Sequence, residues 1–195
     1  MGKIFYIMGK SASGKDKIYS RLAANKEIGL KKLILYTTRP IRTGEEDGKQ
    51  YYFTDEKRLK EFRRKGNLIE ARSYQTVQGI WTYFTADDGQ IDLQNADYLG
   101  IGTLESYVKM KKYYGEKAMC PIYIQVEDGE RLTRALKREK EQAVPKYEEM
   151  CRRFLADQSD FAEENILKAG IWKRFANVNL DVCTEEIVNY IKSMQ

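Results

Sequence analysis

One short stretch constrains this chain more than any other: Lys3 to Tyr19, KIFYIMGKSASGKDKIY. The apolar run Ile4 to Met8 reads as a buried strand, and Gly9-Lys10-Ser11-Ala12-Ser13-Gly14-Lys15-Asp16 turns the chain into a helix. The pattern is G-x-x-x-x-G-K, with Asp where Ser or Thr is usual. Two glycines let the backbone fold tightly enough to aim successive N–H groups inward, and the following helix adds its positive end. Gly9, Ser11, Ala12, Ser13, Gly14, Lys15 and Asp16 are therefore the candidate phosphate seat, with Lys15 placed to neutralise the outer phosphates of a nucleotide. A surface strand-to-helix turn could carry the same letters. Placement between an apolar strand and a helix favours the nucleotide-binding reading.

Asp16 is the irregular member. A hydroxyl at this position ligates Mg2+ as a neutral donor, whereas a carboxylate adds negative charge beside the phosphates. With no metal between them, a carboxylate about 4 Å from a phosphate oxygen is repelled by about 4 kcal/mol at an effective dielectric of about 20. Asp16 is thus expected to touch Mg2+ or its water shell; the alternative is that it caps the helix.

The 195 residues, 42% hydrophobic, suffice for one sizeable core with small appendages. No apolar run approaches a membrane span, and the N-terminus lacks a secretion-signal layout, so a cytoplasmic protein without membrane contact is expected. Cys120, Cys151 and Cys183 are far apart, and the chain has no histidine, so neither a disulfide framework nor a zinc site is indicated. They read as buried or half-buried thiols. The lack of histidine also removes Ser-His and Cys-His nucleophilic chemistry, whereas phosphoryl transfer depends on positioning and electrostatics and needs none. The net charge of +5 fits small anionic ligands, since the chain carries no nucleic-acid-binding motif and no nucleic-acid partner is expected.

After a first helix ending near Asn25 to Gly29, Leu33 to Tyr36 reads as a second strand. Thr37 to Phe53, TTRPIRTGEEDGKQYYF, is polar and turn-rich and closes on aromatics. Long ordered loops tend to carry function. Arg39, Arg42 and Tyr51 could hold a phosphate, because guanidinium forks and a phenol all donate to its oxygens.

This segment resembles the signature of the guanylate kinase family, T-T-R-x-P-R-x-G-E-x-x-G-x-x-Y-x-F, with the proline one residue closer to the first arginine. The resemblance places Arg39, Arg42 and Tyr51 on the phosphate of GMP. Leu68 to Tyr74 resembles the family's F-[IL]-E strand, whose glutamate accepts hydrogen bonds from guanine, and Glu70 inherits that role. Tyr83-Phe84-Thr85, in the second arm of a hairpin, is similar to Y-G-[ST]. It puts Tyr83 near the GMP phosphate and Thr85 near the base, with Phe84 a departure. Two further departures stand out. Leu35 takes the place of a serine, and the expected strand Tyr98 to Thr103 lacks the family's D-x-D, so two polar contacts to the base are missing.

Asp128 to Gln142 reads as a charge-dense helix with Arg131, Arg134 and Arg138 on one face. Arg134 and Arg138 resemble the family's R-L-x-x-R-G, and Arg153 with Asp160 resembles R-L-x-x-A-x-x-E. Taken alone, these arginines could equally be a solvated face paired with Glu139, Glu141, Glu148 and Glu149. Arg152 and Arg153 point about 100 degrees apart on a helix, so one should face the site, and Arg153 is the choice. Phe161 to Ala169 reads as a continuing helix, Phe175 to Val178 as the last strand and Thr184 to Met194 as an amphipathic closing helix. Asn177 and Asn179 lie near the family's adenine-side loop, with the choice between them open.

The resemblance implies an α/β, three-layer P-loop NTPase fold with a parallel core sheet, a small GMP-binding-type domain and a helical lid. The core would comprise residues 1–35, 91–138 and 161–195, the nucleoside monophosphate domain 36–90 and the lid 139–160. The implied reaction is ATP-dependent phosphorylation of GMP (dGMP) with Mg2+ in a monomer or homodimer. Lys15, Arg39, Arg134, Arg138 and Arg153 would act as catalytic groups. Two alternatives remain at this stage: a kinase for another nucleoside monophosphate, or a non-catalytic module that holds a phosphopeptide.

Overall fold

The computed structural model describes residues 1–76 and 79–195. The chain begins with β1 (Ile4–Met8) and α1 (Lys15–Ala24). A two-residue β2 (Lys31–Lys32) and then β3 (Leu35–Thr37), β4 (Tyr51–Phe53), α2 (Glu56–Lys65), β5 (Leu68–Thr76) and β6 (Gly79–Ala86) follow. The remainder is β7 (Tyr98–Ile101), α3 (Leu104–Tyr114), β8 (Met119–Gln125), α4 (Asp128–Lys140), α5 (Tyr147–Asp160), α6 (Glu163–Lys168), β9 (Arg174–Ala176) and α7 (Leu180–Met194).

The core sheet has the order β2-β7-β1-β8-β9, and every pairing in it is parallel. A parallel sheet needs crossovers that cover both faces, and a central strand then has to be apolar on both sides. β1 meets that demand. Its Ile4, Tyr6 and Met8 enter a cluster with Tyr107 and Met110 of α3 and Ile166 of α6. Phe5 and Ile7 enter a second cluster with Ile18 and Leu22 of α1 and Ile187 and Ile191 of α7. The alternation of one strand thus defines three layers, and it leaves the loop after Met8 at the carboxyl edge of the sheet.

A second sheet, β4-β3-β6-β5, is mixed: β3 and β4 run parallel, and β3–β6 and β5–β6 are antiparallel. Phe84 and Ala86 pack under Leu59 and Phe62 of α2. Phe84 stacks on Tyr36 at 5.0 Å between ring centroids, so this departure from a glycine fills the small sheet's core. Asp55 caps α2 by accepting from Arg58 N at 2.8 Å, and Gly66 ends it at φ 76°.

Some expected elements differ. Of the strand read over Leu33 to Tyr36, only Leu35 and Tyr36 lie in a strand, β3 of the small sheet; β2 before them extends the core sheet, and buried Leu33 and Ile34 carry the chain between the two. Such short pieces lack the periodicity that would separate them. The helix read over Phe161 to Ala169 does not continue α5, because the chain breaks at Phe161 and Ala162 before α6. Cys120 and Cys183 are buried, but Cys151 is exposed because α5 buries none of its residues fully. Among the described residues, no helix is long and apolar enough to cross a membrane.

Candidate active site

The loop after β1 is held in shape from behind. Gly14 adopts φ 85° and Ala12 φ 61°, and these two left-handed residues curl the backbone so that its amides face inward. At Ala12 this conformation costs about 1–2 kcal/mol, which the surroundings must offset. They do so through two of the loop's carbonyls and one of its amides. Asn177 Nδ2 donates to Ser13 O at 2.8 Å, and Arg131 Nε donates to Ser11 O at 3.0 Å. Asp157 Oδ2 accepts from Ser11 N at 2.7 Å and from Arg131 Nη2 at 2.8 Å. Arg131 also meets Asp128 at 2.5 Å, with its side chain 1% exposed. Lys10 is tied to Gln158 and lies 3.6 Å from Asp128.

At the head of α1, Lys15 Nζ stands 3.6 Å from Asp16, whose side chain is 83% exposed. Gly14 occupies the N-cap position without a side-chain hydrogen bond, so Asp16 does not cap this helix.

The TTRP segment places Arg39 in a different setting. Its Nη1 and Nη2 donate to the two oxygens of Glu45 at 2.7 and 2.6 Å, and its guanidinium lies 5.1 Å from the ring centres of Tyr51 and Phe53. Tyr83 meets Tyr51 edge to face at 5.5 Å. The Arg39 hydrogen bonds hold the Glu45 carboxyl down at about 2, and burial raises the Tyr51 phenol above its ordinary value. Arg42 lies 5.8 Å over the Trp81 ring.

Toward the far end of the small sheet, Thr85 Oγ1 donates to Glu70 Oε1 at 2.9 Å and Arg72 Nε donates to Glu70 Oε2 at 3.0 Å. Arg72 Nη1 reaches Thr103 Oγ1, beyond β7, at 3.1 Å. Leu35 lies buried in the core, and Gly100-Ile101-Gly102, with no aspartate, forms the carboxyl end of β7 and the residue after it.

Two cavities adjoin the loop. One, of about 460 Å³, is lined by Ser11, Arg42, Arg131, Arg138, Lys146 and Arg153. The other, of about 700 Å³, is lined by Ala12, Gly14, Asp16, Arg134, Arg138 and Asn177. Arg138 borders both. Arg134 pairs with Glu130 at 2.8 Å and donates to Asn177 O at 3.1 Å, while Asn179 caps α7. Arg152 and Arg153 both pair with Glu149, which they hold down at about 2, the Arg152 hydrogen bond contributing most. Of these two arginines, Arg153 is the one that lines the smaller cavity.

The family model described as guanylate kinase matches residues 1–86. The guanylate kinase of Porphyromonas gingivalis is 27% identical over 190 residues, covering 96% of this chain and 95% of that protein. The guanylate kinase of Lactobacillus acidophilus is 37% identical over 73 residues, covering 37% and 36%. A solved guanylate kinase from Anaplasma phagocytophilum aligns with all of this chain and 86% of its own, at TM-score 0.63 and 21% identity, and shares the fold. The first 86 residues of this chain, and at lower identity nearly all of it, are similar to guanylate kinases.

Against the guanylate kinase pattern, the structure brings Arg42, Arg138 and Arg153 to one cavity and gathers Arg39, Tyr51 and Tyr83 into one cluster. Glu70 and Thr85 hydrogen-bond to each other. Sequence reasoning assigned no role to Glu45, Arg72, Arg131 or Asp157. Arg131, Ala135 and Glu139 form the buried stripe of α4, and an arginine in such a stripe calls for a buried partner. Arg72 stands two residues after Glu70 on a strand, hence on its face, a signal available from the letters alone.

Proposed function

We propose that the protein is a guanylate kinase, a phosphotransferase that moves the γ-phosphoryl group of ATP to GMP or dGMP. The observation that carries this reading is the smaller cavity, which Arg42 of the TTRP segment, Arg138 of α4 and Arg153 of α5 line together with Ser11 of the phosphate loop. Cations from both sides of a transferring phosphoryl group, converging beside a phosphate-binding loop, are what in-line transfer requires.

Lys15 and the amides of Ala12, Gly14, Lys15 and Asp16, with Gly9 giving the turn and Ser11 and Ser13 shaping the loop, hold the ATP phosphates. Arg39, Arg42, Tyr51 and Tyr83 fix the acceptor phosphate, and Glu70 and Thr85 stand at its base end. Arg134, Arg138 and Arg153 spread the charge that develops on the transferring group, a contribution worth roughly 1000-fold to 100000-fold in related chemistry. The attacking phosphate oxygen is already anionic, so no side chain needs to take its proton. Residues 139–160 act as a lid over a core of 1–35, 91–138 and 161–195, with 36–90 as the acceptor domain. Closure excludes water that would otherwise consume ATP.

Asp16 fits a Mg2+ ligand, since its carboxylate is exposed beside Lys15 and this hard cation takes one or two carboxylates with substrate phosphates and water. When bound, Mg2+ neutralises charge on the β and γ phosphate oxygens. The proposed setting is the cytoplasm, with no nucleic-acid or membrane partner, as a monomer or homodimer.

A coupled assay with ATP and GMP tests the reading. Lys15→Ala is expected to lower kcat/KM by about 1000-fold or more and to abolish measurable ATP binding. ATP binding that survives in this variant, or no turnover of any nucleoside monophosphate by the parent protein, would refute it.

A further inference from the structure

The base end of the acceptor seat, like Arg39 with Glu45, pairs an arginine with a carboxylate. Glu70, the carboxylate expected to read guanine, has a side chain that is 0% exposed, whereas the Arg72 side chain paired with it is 8% exposed. Both Glu70 oxygens are engaged: Oε1 by Thr85 and by Arg72 Nη2 at 3.4 Å, Oε2 by Arg72 Nε. Arg72 spends three of its five N–H groups on Glu70 and Thr103, and two remain. On the small sheet Arg72 lies directly across from Tyr83, and Glu70 across from Thr85. Residues opposed in an antiparallel pair share a face, so a nucleotide whose phosphate sits at Tyr83 meets Arg72 before Glu70.

The second source of carboxylates is closed off independently. A Cβ on Gly100 would stand 2.7 Å from the Tyr6 ring, and one on Gly102 would stand 2.1 Å from the Tyr6 hydroxyl. Tyr6 is 0% exposed and hydrogen-bonds Ser106 at 2.7 Å, so it fills this space as core. While Tyr6 is there, the strand end cannot carry an acid at either position.

We infer that Arg72, held in place by Glu70, is the group that touches the acceptor base, and that it selects a 6-oxopurine by donating to O6 and N7. This deepens the kinase reading and rests on it. An arginine fork matches the O6/N7 edge of guanine, and that edge is identical in hypoxanthine. The 2-amino group separates the two bases, and the Glu70 carboxylate expected to read it is already engaged by Arg72 and Thr85. Adenine presents an amino donor at the same place and opposes the arginine. Glu70 is a positioning residue, and the substrate class is 6-oxopurine nucleoside monophosphates, GMP and IMP alike.

The test is calorimetric binding and steady-state kinetics of the whole protein with GMP, IMP and AMP. GMP and IMP are expected to have Kd and kcat/KM values within about threefold of each other, with AMP weaker by about tenfold or more. Arg72→Ala frees the Glu70 carboxylate for the N1 and N2 donors and should raise the GMP-to-IMP ratio by about tenfold. Glu70→Gln, which keeps shape but loosens Arg72, should raise KM for both nucleotides together and leave their ratio unchanged. A parent protein that turns over GMP but rejects IMP by about 30-fold or more overturns this inference and leaves the kinase reading standing. A Glu70→Gln variant that loses GMP preference selectively overturns it too. Absence of binding by any of the three nucleotides overturns both.

Discussion

The two anion seats proposed for this molecule are built from different materials. The loop after β1 offers backbone amides, and the side chains around it hold its backbone: Arg131 and Asp157 at Ser11, Asn177 at Ser13. The acceptor side offers guanidinium groups, and two of these are already matched to a carboxylate, Arg39 to Glu45 and Arg72 to Glu70. A backbone seat keeps its shape if its scaffold holds. A side-chain seat keeps its shape only if each cation is restrained, and the restraining carboxylate also tempers the charge a ligand meets. The donor seat is therefore expected to fail through loss of stability, and the acceptor seat through loss of placement.

The sharpest way to break this contrast is at Arg131. Its guanidinium is buried between Asp157, Asp128 and the Ser11 carbonyl. Removing one partner of a buried pair leaves an uncompensated charge and costs about 3–5 kcal/mol. Arg131→Met should lower Tm by about 10 °C in a chain of this size. Arg131→Met combined with Asp157→Leu should recover part of that loss, because the more buried of its two carboxylates is then gone and Asp128, 40% exposed, keeps Lys10 and Gln158. A single variant with unchanged Tm would mean that the loop does not depend on this support.

The same contrast explains what could be read from the letters. The β1–loop–α1 unit was legible because a backbone motif is local: Gly9, Gly14 and Lys15 carry it within a few residues. The TTRP segment was legible for the same reason, with Arg39, Arg42 and Tyr51 at fixed spacing. Unread were the long-range pairings that make those groups usable. Arg131 meets Asp157 from the next helix, and Tyr6 excludes side chains at Gly100 and Gly102 across the core sheet. Nothing in the neighbourhood of Tyr6 or Gly100 announces the other, since each is an ordinary strand residue until β1 and β7 are laid side by side. Arg72 is the intermediate case: its alternation with Glu70 is visible in the letters, but only the structure shows that Glu70 is the more deeply buried of the two.

A smaller effect is expected at Asp16, where the donor seat does rely on a side chain. Asp16→Ala should leave Tm nearly unchanged, because the carboxylate is 83% exposed and pairs only loosely with Lys15 at 3.6 Å. The Mg2+ concentration for half-maximal activity should rise by about tenfold, read from initial rates at fixed ATP. An unchanged Mg2+ requirement would remove Asp16 from the metal's surroundings and leave the donor seat wholly backbone and ammonium.

The mildest probe is acid, and it addresses the acceptor side. The Glu45 carboxyl is held at about 2, below the ordinary value of 4.5, chiefly by the Arg39 hydrogen bonds. Between those values the unfolded chain binds a proton that the folded chain does not, so the pair's contribution to stability is complete above about pH 5 and fades as the pH falls toward 2. Thermal melts of the parent protein and Glu45→Gln should therefore differ by a constant amount from pH 7 to pH 5 and converge below it. Added salt should leave that difference nearly intact, since the Arg39 side chain is 3% exposed and that of Glu45 18%. Glu149, held at a similar value but 40% exposed between two exposed arginines, should show a smaller step that salt removes. Equal salt sensitivity at the two sites would mean that Arg39 is no more firmly placed than the arginines of α5, and the contrast between a built acceptor seat and a loose lid would fail.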